Sequence, residues 1–178
     1  MQDNCDNAAK GYPFIDPEGN AFSADGRILY GIGEEVTLYQ VPDGVETVAP
    51  RAACGHERLQ AVRLPDSVRQ IGEEAFAFCR YLDTVRMPHL LEDIPEGAFA
   101  GCEWLSRIRI PETVRRVGAN AFNGCGHLSE VVFAGVPEEI HPTAFLGCDY
   151  LYYVYVPNGS TDAFREMLPK GGWRLIER

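Results

Sequence analysis

Six cysteines and four histidines are the side chains of this 178-residue sequence best equipped for chemistry, and their spacing decides which chemistry is open to them. Cys79, Cys102, Cys125 and Cys148 follow one another at intervals of 23 residues. Thiols can close disulfides, ligate zinc or act as nucleophiles. A structural zinc site needs four converging ligands, and Cys125-Gly126-His127 offers two. His56, His89, His127 and His141 include no pair at i, i+4, so no metal is expected. No G-x-S-x-G elbow occurs, and Gly31-Ile32-Gly33 lacks the further glycine of a dinucleotide-binding turn. No catalytic residue and no cofactor is therefore assigned. A constant interval implies a column instead. If the chain coils once per interval, the four thiols stack about 4.8 Å apart with side chains parallel, whereas a disulfide needs its Cβ atoms turned toward each other. The column is expected to be reduced, its sulfurs acting as small apolar filler. Cys5 and Cys54 fall outside it and are left unassigned.

The elements that would position such a column repeat with the same period. Leu59-Gln60-Ala61-Val62-Arg63-Leu64-Pro65 returns as Leu82 to Pro88 and as Leu105 to Pro111, and again from Leu128 and from Leu151. A fixed 23-residue step is the mark of a solenoid, in which each repeat buries its apolar face against the next. Val62, Val85, Ile108, Val131 and Val154 form one inward column, and Leu64, Met87, Ile110, Phe133 and Val156 the next. Together they predict one short strand per coil, stacked in a parallel sheet and ended by Pro65, Pro88, Pro111 and Pro157. Val68/Ile71, Leu91/Ile94 and Val114/Val117 supply the returning side. Phe76, Phe99, Phe122 and Phe145, each after an alanine, plug the interior. Gly101, Gly124 and Gly147 permit positive φ before the cysteines.

The two ends depart from this pattern. Residues 1–19 read as a tail. Residues 20–35 read as a hairpin cap turning at Asp25-Gly26. Residues 36–157 form the solenoid, its first repeat degenerate, with Ala53 where later coils carry phenylalanine. Residues 158–178 form a second cap, with Ser160 as N-cap of a short helix presenting Phe164, Met167 and Leu168 on one face, and an apolar strip of Trp173, Leu175 and Ile176. Asn158-Gly159-Ser160 matches a glycosylation acceptor, but serves the turn and cap on this reading.

A net charge of −10 argues against nucleic acid or an anionic membrane as partner. No apolar run approaches the roughly 20 residues a membrane helix requires. Met1 to Asn7 show neither a basic start nor an apolar core, so no secretory signal is expected in the sequence as it stands.

Residues between the inward columns point outward. One outward column runs Gln40, Arg63, Arg86, Arg109, Val132, Tyr155. Its neighbour runs Leu38, Ala61, Thr84, Arg107, Glu130, Tyr153. Just before the strands lie Arg58, Tyr81, Trp104, His127 and Tyr150. Stacked like charges repel, so such a stripe is a cost unless something offsets it. On one reading Asp83, Glu130 or loop carboxylates neutralise it. On the other, Arg63, Arg86, Arg107 and Arg109 with Tyr81, Trp104, Tyr153 and Tyr155 form a contact surface, arginine and aromatic residues being enriched at binding hot spots.

The consensus L-x-x-V-x-I/L-P-x-x-V-x-x-I-G-x-x-A-F-x-x-C, over roughly residues 36–157, resembles the BspA-like (Treponema pallidum type) leucine-rich repeat. The resemblance implies a leucine-rich-repeat solenoid of short parallel strands with turns and short helical segments. It implies a bacterial, non-catalytic module of the adhesion type that binds a protein or glycan, possibly acidic, through its parallel-sheet face. Cell-surface or secreted placement goes with that resemblance, and cytoplasmic placement with Met1 as the native start. A scaffold without a dedicated ligand is the alternative, and an enzyme or metal protein built on the solenoid a more distant one.

Overall fold

The computed structural model describes residues 14–168 and 171–178. The chain winds through six coils of 23 residues; the first five contribute to two narrow parallel sheets joined by turns, and the sixth to the first of them. The first face carries β4 (Leu38–Gln40), β6 (Ala61–Arg63), β8 (Thr84–Arg86), β10 (Arg107–Ile110), β12 (Glu130–Phe133) and β14 (Tyr153–Val156). The second carries the two-residue strands β5 (Thr47–Val48), β7 (Gln70–Ile71), β9 (Asp93–Ile94), β11 (Arg116–Val117) and β13 (Glu139–Ile140). Register follows the 23-residue arithmetic: Val62 lies beside Val85, and Ile108 beside Val131 and Val154 in turn. Both inward columns are buried except at Val85, which is half-buried.

The third side of each coil is a corner of turns, and it holds the most regular packing in the molecule. The rings of Phe76, Phe99, Phe122 and Phe145 stack in one file, with centroids 5.4, 5.5 and 5.3 Å apart and planes within 3°, 6° and 3° of parallel. Beside them the four cysteines are free and buried. Each thiol donates to a carbonyl one coil back, Cys102 to Phe76, Cys125 to Phe99 and Cys148 to Phe122, all at 3.2 Å. Burial pushes Cys79 and Cys148 up to about 12, and Cys102 and Cys125 up as well. These are inert, reduced thiols. Cys54 is disulfide-bonded, and Cys5 lies outside the described residues. The turn ahead of each cysteine needs a left-handed residue: Gly101, Gly124 and Gly147 have φ of 70°, 74° and 73°, and Phe78 takes 58° in the same column without being glycine.

At the N-terminal end β1 (Phe14–Ile15), which the sequence placed in the tail, pairs antiparallel with β2 (Ala21–Phe22). The turn through Asp25-Gly26 then leads to β3 (Ile28–Gly31), antiparallel to β2 and parallel to β5. The hairpin thus extends the second sheet at its N-terminal edge. His56 ties it down: its Nε2 lies 2.8 Å from the Gly33 carbonyl, and its Nδ1 accepts from the Arg58 and Leu59 amides. At the other end α1 (Thr161–Met167) buries Phe164 against Phe133, with ring centroids 4.8 Å apart. Ser160 occupies the N-cap position, but its hydroxyl donates back to the Pro157 carbonyl instead of capping the helix. The carboxylate that accepts from Thr161, through both amide and hydroxyl, belongs to Glu177. That hydroxyl contact holds Glu177 below the usual carboxylate range. Glu177 sits on β15 (Arg174–Glu177), where the sequence shows only an apolar strip; it adds a further parallel strand beside β14.

Neither sheet is continuous. The first divides between β8 and β10, and the second between β7 and β9. One bond missing at the second gap has a chemical cause. Gly72 donates its amide to Val48, Gly118 to Ile94 and His141 to Val117. Pro95 stands at the equivalent position of the third coil and has no N–H to give to Ile71. A shallow cavity of about 600 Å³, lined by Ile71, Leu90, Pro95 and their neighbours, lies over this gap.

Candidate interaction surface

The columns anticipated on the first face are present. Gln40, Arg63 and Arg86 are register partners, as are Leu38, Ala61 and Thr84 on the lower strands. On the upper strands Arg109, Val132 and Tyr155 align, and so do Arg107, Glu130 and Tyr153. Val132 departs from its outward assignment in being buried, at 2% exposure, between Arg109 and Tyr155. The sheet division between β8 and β10 separates Arg86 from Arg109 in the hydrogen-bond ladder, so the stripe crosses a join.

Charge pairing separates three arginines of this face from six others. Arg51 pairs with Glu74, Arg58 with Glu35, Arg80 with Glu103, Arg115 with Glu138 and Arg116 with Asp93, each across one repeat. Arg107 does the same with Glu130 at 3.2 Å, so the glutamate on the face neutralises this one candidate. Arg63, Arg86 and Arg109 are exposed and have no ion pair among the described residues. Asp83, the other carboxylate suggested for the stripe, accepts from the hydroxyls of Ser106 and Thr84 instead. The signal was present in the sequence: a carboxylate stands one repeat from each of those six paired arginines. One repeat from Arg63, Arg86 and Arg109 stand only glutamine, arginine and valine.

The aromatic candidates divide into three groups. Trp104, half-exposed, stacks on His127 at 5.1 Å, and His127 on Tyr150 at 6.1 Å. Tyr81, in the same column, has the Arg80 guanidinium 6.0 Å from its ring centre. Tyr153 and Tyr155 contact each other at 6.3 Å, and Arg178 lies 4.2 Å over the Tyr155 ring. Arg178 and Tyr152, which stands edge-on to Tyr150, belong to this surface and were not anticipated.

No group of three or more potential metal ligands occurs among the described residues. None of the described helices is long and apolar enough to cross a membrane.

A family model for the BspA type leucine-rich repeat region matches residues 34–166 in six copies. The chain belongs to that family. Its fold recurs in a leucine-rich cell surface protein of Faecalibacterium prausnitzii, with a TM-score of 0.75 and 29% identity over 92% of this chain and 44% of the other. The Treponema pallidum leucine-rich repeat protein superposes with a TM-score of 0.70, again at 29% identity, over 92% of this chain and 80% of its own. The pneumococcal vaccine antigen PcpA, 21% identical over 90% of this chain and 46% of its own, shares the fold with a TM-score of 0.76. The chain thus spans less than half the length of two of these neighbours. No curated protein matches it in sequence. BspA-type repeats are a non-catalytic, protein-interaction fold of bacteria.

Proposed function

We propose that this BspA-type repeat is a non-catalytic binding module whose first sheet face takes an anionic protein or glycan. One observation carries the proposal: Arg63, Arg86 and Arg109 stand unpaired in one column of a chain of net charge −10, while six other arginines each find a carboxylate one repeat away. Arg69 also makes no ion pair among the described residues, but Glu46 and Glu92 stand one repeat away on either side of it, whereas no carboxylate stands one repeat from any of these three, and their charge is left for something outside the solenoid. Arg107, satisfied by Glu130, sits at the border of the site, and Tyr81, Trp104, Tyr153 and Tyr155 form its aromatic flank. The resemblance to a cell surface protein supports a surface-exposed, adhesion-type role.

Binding of labelled poly-L-glutamate and dextran sulfate tests the reading. The native protein should bind at least one of them at moderate salt despite its net negative charge. Arg86→Glu combined with Arg109→Glu should abolish binding without shifting the thermal midpoint. Arg116→Ser, on the opposite sheet, should leave binding unchanged. Equal binding by the double variant and the native protein would remove the site.

A further inference from the structure

We infer that Cys54 is bonded to Cys5, that this bond clasps the N-terminal cap to the corner of the first coil, and that the protein works in an oxidising environment. The clasp is independent of the arginine stripe: it bears on where the module acts, not on what it binds.

The sequence has six cysteines. Cys79, Cys102, Cys125 and Cys148 are free, and Cys54 is disulfide-bonded. Within the chain that leaves Cys5, which lies outside the described residues, as the available partner. Cys54 is no member of the thiol column, whose place in the first coil is taken by His56, one repeat before Cys79. It stands two residues earlier, where later coils carry Ala77, Ala100, Asn123 and Leu146. Ala100 and Asn123 are half-buried and Leu146 is 59% exposed, so a side chain at this place can be reached from outside the stack. The column thiols cannot: each donates to a buried corner carbonyl one coil back, Cys79 to that of Ala53.

Reach is sufficient. Phe14 lies nine residues after Cys5, and nine extended residues span up to about 30 Å. β1 is the outermost strand of the cap, and among the described residues it pairs only with β2. His56, two residues from Cys54, already holds the chain just beyond β3 through the Gly33 carbonyl. A bond from Cys54 to Cys5 secures the other end of the cap to the same corner, at the end of the stack where no earlier coil covers the core.

The bond forms by thiol–disulfide exchange. The two thiols give up two protons and two electrons to a disulfide donor, oxidised glutathione or a disulfide oxidoreductase, which leaves as two thiols. Such bonds persist in secreted, cell-surface and periplasmic proteins and are rare where thiols are kept reduced. The four column thiols stay reduced in those same surroundings because they are buried with parallel side chains.

Peptide mapping by mass spectrometry tests the pairing, on the whole chain folded in a glutathione redox buffer and alkylated without reductant. One linked pair carrying Cys5 and Cys54 is expected. Cys54 free, capped by glutathione or linked to a second copy would overturn it. Cys5→Ser should make Cys54 open to alkylation and lower the melting temperature by about 5–15 °C. Reductant should produce the same fall in the native protein and none in the variant. A melting temperature indifferent to both would overturn the clasp even if the bond is found. The same mapping on acid-quenched cells that make the protein tests the environment: the linked pair is expected, and two free thiols there would overturn the placement. Binding of poly-L-glutamate is a separate readout, so failure of the clasp and failure of the arginine face are distinguishable.

Discussion

The corner of each coil and the two sheet faces obey different rules, although the same 23-residue period generates both. At the corner the backbone ladder never lapses from the first coil to the fifth. Ala53 donates to Ala75, Phe76 to Ala98, Phe99 to Ala121 and Phe122 to Ala144, with bonds on either side of each, that of Asn120 going to the Thr143 hydroxyl. The same corner carries the phenylalanine file and the thiol column, both buried throughout. On the sheets, by contrast, the third coil is joined only to the second through β8 and only to the fourth through β9. Stacking therefore does not depend on unbroken sheets. The corner keeps the coils in register, and the faces are free to vary, whether by losing a donor at Pro95 or by accumulating unpaired arginines.

If the corner holds the stack, damage there should be the most severe of any. Phe99 is fully buried between two parallel rings. Phe99→Ala should cost about 3–5 kcal/mol, through lost burial and a cavity flanked by rings that cannot both move in. Urea unfolding measures this. A loss below about 1 kcal/mol would show that the corner is not what holds the coils.

The thiol column is the next weaker part of the same corner. Cys102→Ala removes a fully buried sulfur and a donor to the Phe76 carbonyl, a loss of about 1–2 kcal/mol. The buried thiols also make stability fall at high pH. Their folded values lie above the roughly 8.5 of a free cysteine, so the unfolded chain ionises first. Their contribution is complete below about pH 8.5 and declines as pH rises toward the value of about 12 reached by Cys79 and Cys148. Native protein at pH 8 should leave the four thiols unlabelled by iodoacetamide, and urea should expose them. Rapid native labelling at any of the four would contradict their burial.

This hierarchy shows which parts of the molecule can be read from sequence. Hydrophobic period is a property of letters, so the inward columns, the phenylalanine file and the parallel register all follow from the spacing of Val62, Leu64 and Phe76. The sheet gap does not, because hydropathy says nothing about donors. Pro95 occupies a place that Gly72 and Gly118 fill in neighbouring coils and lacks their N–H, and the Glu92 and Asp93 amides do not make the bond to Arg69 that Arg69 and Gln70 make to Glu46. Glu177 escaped notice for a related reason: the helix start it serves lies 16 residues away, whereas capping rules look three residues ahead. Arg174 to Glu177 carries no leucine-to-proline phrase, and its strand is set by the open edge of β14 rather than by its own composition. The arginine pairing was legible but called for different arithmetic, matching charges one repeat apart rather than apolar residues.

Pro95→Gly brings the comparison to the sheet itself, where a much smaller effect is expected. A glycine restores the N–H and with it a bond to the Ile71 carbonyl, a gain of about 0.5–1.5 kcal/mol. It also frees the unfolded chain by a similar amount, about 0.4–1 kcal/mol. Stability should change little, and the informative measurement is hydrogen exchange. The new amide should exchange slowly, like those of Gly72 and Gly118. Fast exchange would mean that something other than the missing donor keeps β7 and β9 apart.

The smallest effect is expected where the proposed function lies. Arg63, Arg86 and Arg109 have no ion pair to lose, and Arg63 and Arg86 sit side by side in register, where like charges oppose stacking. Replacing all three with serine should leave the melting temperature unchanged or slightly raised, by no more than about 2 °C. The rise should shrink as added salt screens the repulsion that the substitutions relieve. A large fall in melting temperature would mean that the stripe holds coils together. The contrast between a corner that stabilises and a face that recognises would then fail, because its arginines would already have a structural task.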